Sequence, residues 1–275
     1  MTTDRAADLP KGSRRDPRRH APSGDLSRSP GSRLSGYWRL ARTPRYSLLF
    51  ALPLLLLYEL LAFLLTHDAI AGVRNGADVL LKSVFVWVGG RRGVIVFGAL
   101  LIGTGLILVW RDWRRSGGRL SARVFLGMLG ESVACALAFG LVTSALTGIV
   151  LRGAQLLALG GSAPFGPATQ LMISLGAGIY EELLFRVLLV SGLAWVARRG
   201  FGWRPAAAGA FATLIGALIF SAFHYIGPYG DRLELGSFAF RAVAGLLFSG
   251  LYLLRGFGIA AWTHALYDVF LTAAA

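Results

Sequence analysis

The chain has 275 residues, 55% of them hydrophobic and 15% charged, with a mean hydropathy of +0.60; a soluble domain carries about a quarter charged residues. That balance excludes an ordinary soluble domain, and the single Cys135 excludes a disulfide framework or a Cys-based zinc site. The net charge of +14 is no mark of nucleic-acid binding, because no fold motif or aromatic interleaving accompanies it.

Residues 1–45 hold eleven Lys/Arg and four Asp. Rich in Arg, Ser, Pro and Gly and without apolar periodicity, this stretch reads as a disordered basic tail that touches anionic headgroups. It is no cleavable signal peptide, since the first apolar run starts near Tyr46 and contains Glu59 rather than a cleavage site. Apolar runs then follow at 46–66, 93–110, 124–150, 169–197, 205–226, 238–254 and 257–274. Each is of the length and polarity that cross a bilayer, and with no water there to satisfy backbone groups a helical bundle is the natural architecture. The fold expected is all-α, a polytopic bundle of about seven spans.

The run 77–90 is short for a span. It carries Asp78 and Lys82 four apart, as an amphipathic interfacial helix would. With this run left out of the count, the basic segments 1–45, 111–123 and 198–204 and Arg255 all fall on one side, as the positive-inside rule requires. The N-terminus is then cytoplasmic and the C-terminus outside a cell (inner) membrane; an eighth span is the alternative. The domains expected are a tail at 1–45, N-terminal spans over 46–168 and a helical core over 169–274. Pro205 suits a first helical turn. Ser174 with Gly178, and Ala206 with Ala210, have the spacing that lets helices approach closely.

Ionisable residues inside spans are costly and mark function. The fourth span reads GAGIYEELLFRVLLV, with Glu181, Glu182 and Arg186; the fifth ends IFSAFHYIG, with Phe220 and His224; the seventh reads AAWTHALYDVF, with His264 and Asp268. On an α-helix Glu182 and Arg186, four apart with the acid first, suit an ion pair. Glu181 points about 100° away and is free to face a cavity as a base. His264 and Asp268 share one face, where Asp268 could fix the tautomer of His264 or join it in holding water or metal. Glu59 and Glu131 suit structural hydrogen bonds, and Arg241 suits an outward, snorkelling position. His20 and His67 carry no assignment, and LGGSAP at 159–164 has no phosphate-loop context.

These motifs resemble the CPBP family of CAAX-processing and bacteriocin-related (Abi) intramembrane proteases, whose pattern is EExxxR, FxxxH and HxxxN or HxxxD on separate helices. They stand here, in that order, as Glu181-Glu182 to Arg186, Phe220 to His224, and His264 to Asp268. The resemblance implies hydrolysis of a peptide bond in a membrane-anchored, prenylated or sorting-signal-bearing protein. Glu181 would activate water with His224, His264 and residue 268 would support the oxyanion, and Glu182, Arg186 and Phe220 would hold the frame. It also admits a divalent metal, zinc, on Glu181, His224 and His264. An ionised Asp268 cannot donate to an oxyanion as Asn does, so it is either protonated or turned to His264. Two other classes fit the buried charges, an ion- or proton-coupled transporter and a non-catalytic bacteriocin-immunity or partner-binding protein. Clustering of those charges in one half of the chain, without an internal repeat, argues against transport.

Overall fold

The structure, a computed structural model, describes residues 30–65, 73–151, 165–227 and 230–274. His20, His67 and the 159–164 stretch lie outside the described residues, as does most of the basic tail. Two compact units divide after Gly36. In the first, the described residues form the beginning of helix α1, Pro30–Ala41, so helical order starts inside the segment expected to be disordered. All that follows concerns Tyr37–Ala275.

Among the described residues every regular element is helical. After α1 come α2 (Pro44–Leu65), α3 (Gly76–Gly89), α4 (Arg92–Ser116), α5 (Ala122–Val150) and α6 (Pro167–Gly176). A π-helical segment, Ala177–Val190, continues α6 without a break into α7 (Ser191–Gly200). Then come α8 (Pro205–Phe223), α9 (Leu235–Arg255) and α10 (Phe257–Ala274). Five of them, α2, α4, α5, α8 and α9, are long and apolar enough to cross a membrane. Pro205 opens α8 in its first turn, where a missing N–H leaves no partner unsatisfied. Large apolar side chains such as Phe63, Ile95 and Leu141 point outward, the arrangement of a bundle whose solvent is lipid.

Chain direction follows from contacts at the helix ends. The Arg45 side chain donates to the Gly117 carbonyl, and Tyr46 Oη accepts from the Ser121 amide at 2.9 Å, so the start of α2 lies beside the end of α4. That puts residues 45 and 111–121 at the same end, as the charge count requires. Helix α3 departs from expectation. It begins inside the bundle beside Tyr58 of α2, with the Asn75 amide 3.3 Å from Tyr58 Oη. At about 21 Å long, it then turns at Gly90 into α4. Its polarity is inside out relative to an interfacial helix. Asp78 is 0% exposed and Lys82 6%, whereas Trp87 is 88% exposed. In hydrocarbon the charged stripe belongs inside, paired, and the apolar stripe outside.

Small residues set the close crossings. A Cβ on Gly178 would lie 2.4 Å from the Ala261 carbonyl oxygen, so α10 packs backbone to backbone on the π segment. On α8 the buried small face is Ala208, Ala212 and Gly216, and Ala206 and Ala210 are exposed. The pairing expected for that helix is therefore shifted by two residues, because a PAAAGA run offers small residues on every face and neighbouring bulk decides the register. Ser174 is buried on α6, its hydroxyl donating to the Gln170 carbonyl at 3.0 Å.

Candidate functional site

Three helices converge on Glu181. The π segment supplies it, the C-terminal end of α8 supplies His224, and α10 supplies His264. Glu181 Oε2 lies 4.0 Å from Nε2 of His224 and 4.0 Å from Nε2 of His264. Oε2 is buried and makes no hydrogen bond to a protein group, whereas Oε1 accepts from Asn75 Nδ2 at 2.8 Å.

The other ring nitrogens fix the tautomers. His224 Nδ1 is 2.9 Å from the Phe220 carbonyl; a carbonyl only accepts, so Nδ1 carries the proton. His264 Nδ1 is 2.8 Å from Glu182 Oε1, an acceptor when ionised. In the neutral rings both Nε2 lone pairs therefore face the free oxygen of Glu181. Three electron-rich atoms meeting in this way call for something positive or proton-bearing between them: a proton on a ring, a water or a cation.

Glu182 has a partner beyond the one expected, and Asp268 takes a different place. Arg186 Nη1 is 3.4 Å from Glu182 Oε1 without a hydrogen bond, and all three guanidinium nitrogens lack one. The reason is local. A π-helix hydrogen-bonds i to i+5, so the i,i+4 ion pair expected of Glu182 and Arg186 is present but lacks hydrogen-bond geometry, and the same Glu182 oxygen also meets His264 Nδ1. Arg186 is held over the rings of Phe220 at 4.4 Å and Phe248 at 5.5 Å, cation–π contacts that gain strength away from water. Asp268 Oδ2 is 3.8 Å from His264 Nε2. The tautomer of His264 is thus set by Glu182 through Nδ1, and Asp268 lies beside the opposite nitrogen. Phe220 also meets the His224 ring edge-on at 4.9 Å and the Phe185 ring at 5.1 Å.

Asp268 and His224 are the partly open members, their side chains 29% and 27% exposed. One residue beyond Asp268, Val269 joins Pro167, Leu171, Ser174 and Thr272 in lining a groove of about 420 Å³ between α6 and α10.

Sequence reasoning missed three features. Asn75 sits just before α3, where a polar residue reads only as a cap. Phe248 stacks on His264 at 4.2 Å but is one of 17 Phe. The third is a partly buried ion network between α2 and α3, with Asp78 and Lys82 inside and Glu59 partly open. Asp78 Oδ2 accepts from Tyr58 Oη (2.7 Å) and Arg74 Nε (2.6 Å), and its Oδ1 forms an ion pair with Lys82 Nζ (2.7 Å). Glu59 accepts from Tyr180 Oη (2.5 Å), Arg74 Nη2 (2.8 Å) and Lys82 Nζ (3.1 Å). Buried charges are therefore not confined to the second half of the chain, which removes the clustering part of the argument against transport. Glu131 accepts from Tyr37 Oη at 2.6 Å and from Arg255 Nη2 at 2.7 Å. Arg255, counted among the basic segments of one side, is buried in this pair. Arg241 is tied to Asp231 and lies over the Tyr225 ring at 5.2 Å.

The donor types of Glu181, His224 and His264 suit zinc, and both imidazoles already have an acceptor on Nδ1, as zinc ligands do. The spacing does not suit it. Donors about 2.0–2.2 Å from a tetrahedral zinc stand about 3.4 Å apart, closer than the 4.0 Å found here. No group of three or more His, Cys, Asp or Glu among the described residues is arranged to hold a metal ion.

Fold and site together define a multi-pass helical membrane protein with a buried Glu–His–His centre. Residues 163–270 match the family model described as Type II CAAX prenyl endopeptidase Rce1-like, which agrees with the motif resemblance and supports a CAAX-type intramembrane endopeptidase in general. Comparison with curated proteins and with solved structures gave no significant match.

Proposed function

We propose that the chain hydrolyses a peptide bond within the membrane, with Glu181 as general base. The observation that carries this reading is the division of labour on one carboxylate: Oε1 is occupied by Asn75, and Oε2 is left facing both histidines at 4.0 Å. A water about 2.8 Å from Oε2 and Nε2 spans that separation without movement of either side chain. Glu181 takes its proton as the water oxygen bonds to the scissile carbonyl carbon, with His224 accepting the second water hydrogen. His264, protonated on both nitrogens in this role, donates Nε2–H to the oxyanion while Glu182 holds Nδ1. Asp268, 3.8 Å from Nε2, supports His264 rather than the oxyanion. The tetrahedral intermediate collapses as the C–N bond breaks, and the proton held by Glu181 goes to the leaving nitrogen. No step is routed through a metal.

The substrate proposed is a membrane-anchored protein, prenylated or bearing a hydrophobic sorting signal, reaching the site from the lipid. Orientation follows the charge count: N-terminus and arginine-rich loops in the cytoplasm, in a bacterial-type inner membrane. The test is cleavage of an anchored-peptide library by purified wild type and Glu181→Gln, with bound zinc measured in both. Cleavage by zinc-free wild type, lost in Glu181→Gln, is expected. Activity that rises and falls with stoichiometric zinc would overturn the metal-free mechanism, and equal cleavage by Glu181→Gln would overturn the base assignment.

A further inference from the structure

A general base on a flexible side chain needs a neighbour to hold it, and here that neighbour comes from the half of the chain outside the family match. Asn75 is 3% exposed, and both of its side-chain polar atoms are engaged. Oδ1 accepts from the Ala77 amide at 2.9 Å, capping α3, and Nδ2 donates to Glu181 Oε1 at 2.8 Å. Its backbone amide lies 3.3 Å from Tyr58 Oη. Capping fixes the side-chain rotamer, so Nδ2 can point only toward Glu181.

The surroundings make the arrangement rigid. Tyr58, which receives the Asn75 amide, donates to Asp78 of the ion network. The same network holds Tyr180, the residue before Glu181, through Glu59. A Cβ on Gly176 would lie 2.6 Å from Asn75 Cβ and 2.6 Å from Tyr58 Cε2, so the helix carrying Glu181 reaches Asn75 only because residue 176 has no side chain. From these contacts we infer that Asn75 is the positioning residue for Glu181. It takes one carboxylate oxygen out of play, fixes the plane of the group and leaves the other oxygen to face His224 and His264. The inference rests on Glu181 being the base; Asn75 acts through Glu181 and is not itself catalytic.

Two substitutions separate positioning from capping. Asn75→Ser keeps an acceptor for the Ala77 amide but is too short to reach Glu181. Asn75→Asp keeps size and cap but sets a carboxylate against a carboxylate. Thermal unfolding of the full chain in detergent is measured for both variants, for Glu181→Gln and for the Asn75→Asp/Glu181→Gln double variant. In parallel, kcat and KM are measured on a peptide that wild type cleaves. Asn75→Ser is expected to lose about 10–100-fold in kcat, the cost of an ångström-scale misplacement, with KM within about twofold and near-wild-type melting. Asn75→Asp is expected to melt lower, and the double variant to recover, because the amide now donates from residue 181; activity stays lost. Wild-type kcat in Asn75→Ser, or a loss confined to KM, overturns the inference while the protease reading stands. If wild type cleaves no peptide, that reading fails instead and the melting cycle decides: an equal Asn75→Asp penalty with Glu or Gln at 181 leaves Asn75 a cap only.

Discussion

Gly178 is where packing and chemistry are most tightly joined. It lies in the same π-helical segment as Glu181, three residues before it, and against the α10 backbone that carries His264. A Cβ there would be 2.4 Å from the Ala261 carbonyl oxygen, 2.8 Å from Ala265 Cβ and 3.1 Å from the Ala265 amide nitrogen. The first of these is about 1 Å inside ordinary contact. The obstacle is backbone, so no rotamer change relieves it and α10 has to move. Two effects of opposite sign compete in Gly178→Ala. Replacing Gly within a helix gains about 1 kcal/mol, whereas overpacking a fitted contact costs about 1–3 kcal/mol. With two α10 backbone atoms and a methyl in the way, the cost wins, and the melting temperature in detergent falls. A shift of about 1 Å between Glu181 and His264 also lowers kcat about 100-fold. Gly192→Ala is the control: nothing lies within 4 Å of its Cβ position, so only the propensity gain remains. Melting and turnover of Gly178→Ala equal to those of Gly192→Ala would refute the reasoning.

Glu182→Gln removes the nearest countercharge from a guanidinium that is 1% exposed, a loss of about 3–5 kcal/mol. Adding Arg186→Met is expected to restore the melting temperature without restoring cleavage, because His264 still lacks its charged acceptor. Glu131→Gln strands Arg255 in the same way, but at the C-terminal end of α9, before α10 begins; the unfolding midpoint is expected to drop while kcat per folded molecule holds. Trp87, 88% exposed on α3, is read as lipid-facing. Trp87→Leu is expected to leave yield and melting unchanged, and Trp87→Asp to cut membrane-inserted yield several-fold, an outcome that an aqueous-facing position would reverse.

What the sequence disclosed was what local chemistry writes into it. Apolar runs set the helices, Pro205 marked a helix start, and the rarity of buried ionisable groups singled out Glu181, His224, His264 and Asp268. What it withheld depends on partners distant in the chain. Asn75 carries a cap signal, but its other role needs a glutamate 106 residues away. The spacing of Glu182 and Arg186 gives their ion pair, but not the second partner of Glu182, His264, nor the π-helical backbone, which nothing in AGIYEELLFRVLLV announces. For α3 the amphipathic pattern was legible but its sense was not. A periodic stripe of charge says that two faces differ, and only the surrounding medium says which of them is inside.

The adjacency of the two glutamates has a geometric consequence. Consecutive residues on a helix diverge by about 100° in the α form and somewhat less where the turn is wider, enough for a flat ring from another helix to enter between them. The His264 imidazole is that ring, with Glu182 2.8 Å from Nδ1 and Glu181 4.0 Å from Nε2. One carboxylate makes a direct hydrogen bond that fixes the tautomer. The other stands back at 4.0 Å, room for the water of the proposed mechanism, with Asn75 on its second oxygen. Phe248 beneath the ring at 4.2 Å and Phe220 against His224 at 4.9 Å limit the swing of both imidazoles, so the distances are set by side chains that carry no charge. The same aromatic pair bears on Arg186. In this frame the Arg186 guanidinium pairs with Glu182 at 3.4 Å. It makes no ion pair with Glu181, whose carboxylate meets Asn75 and the two imidazoles instead.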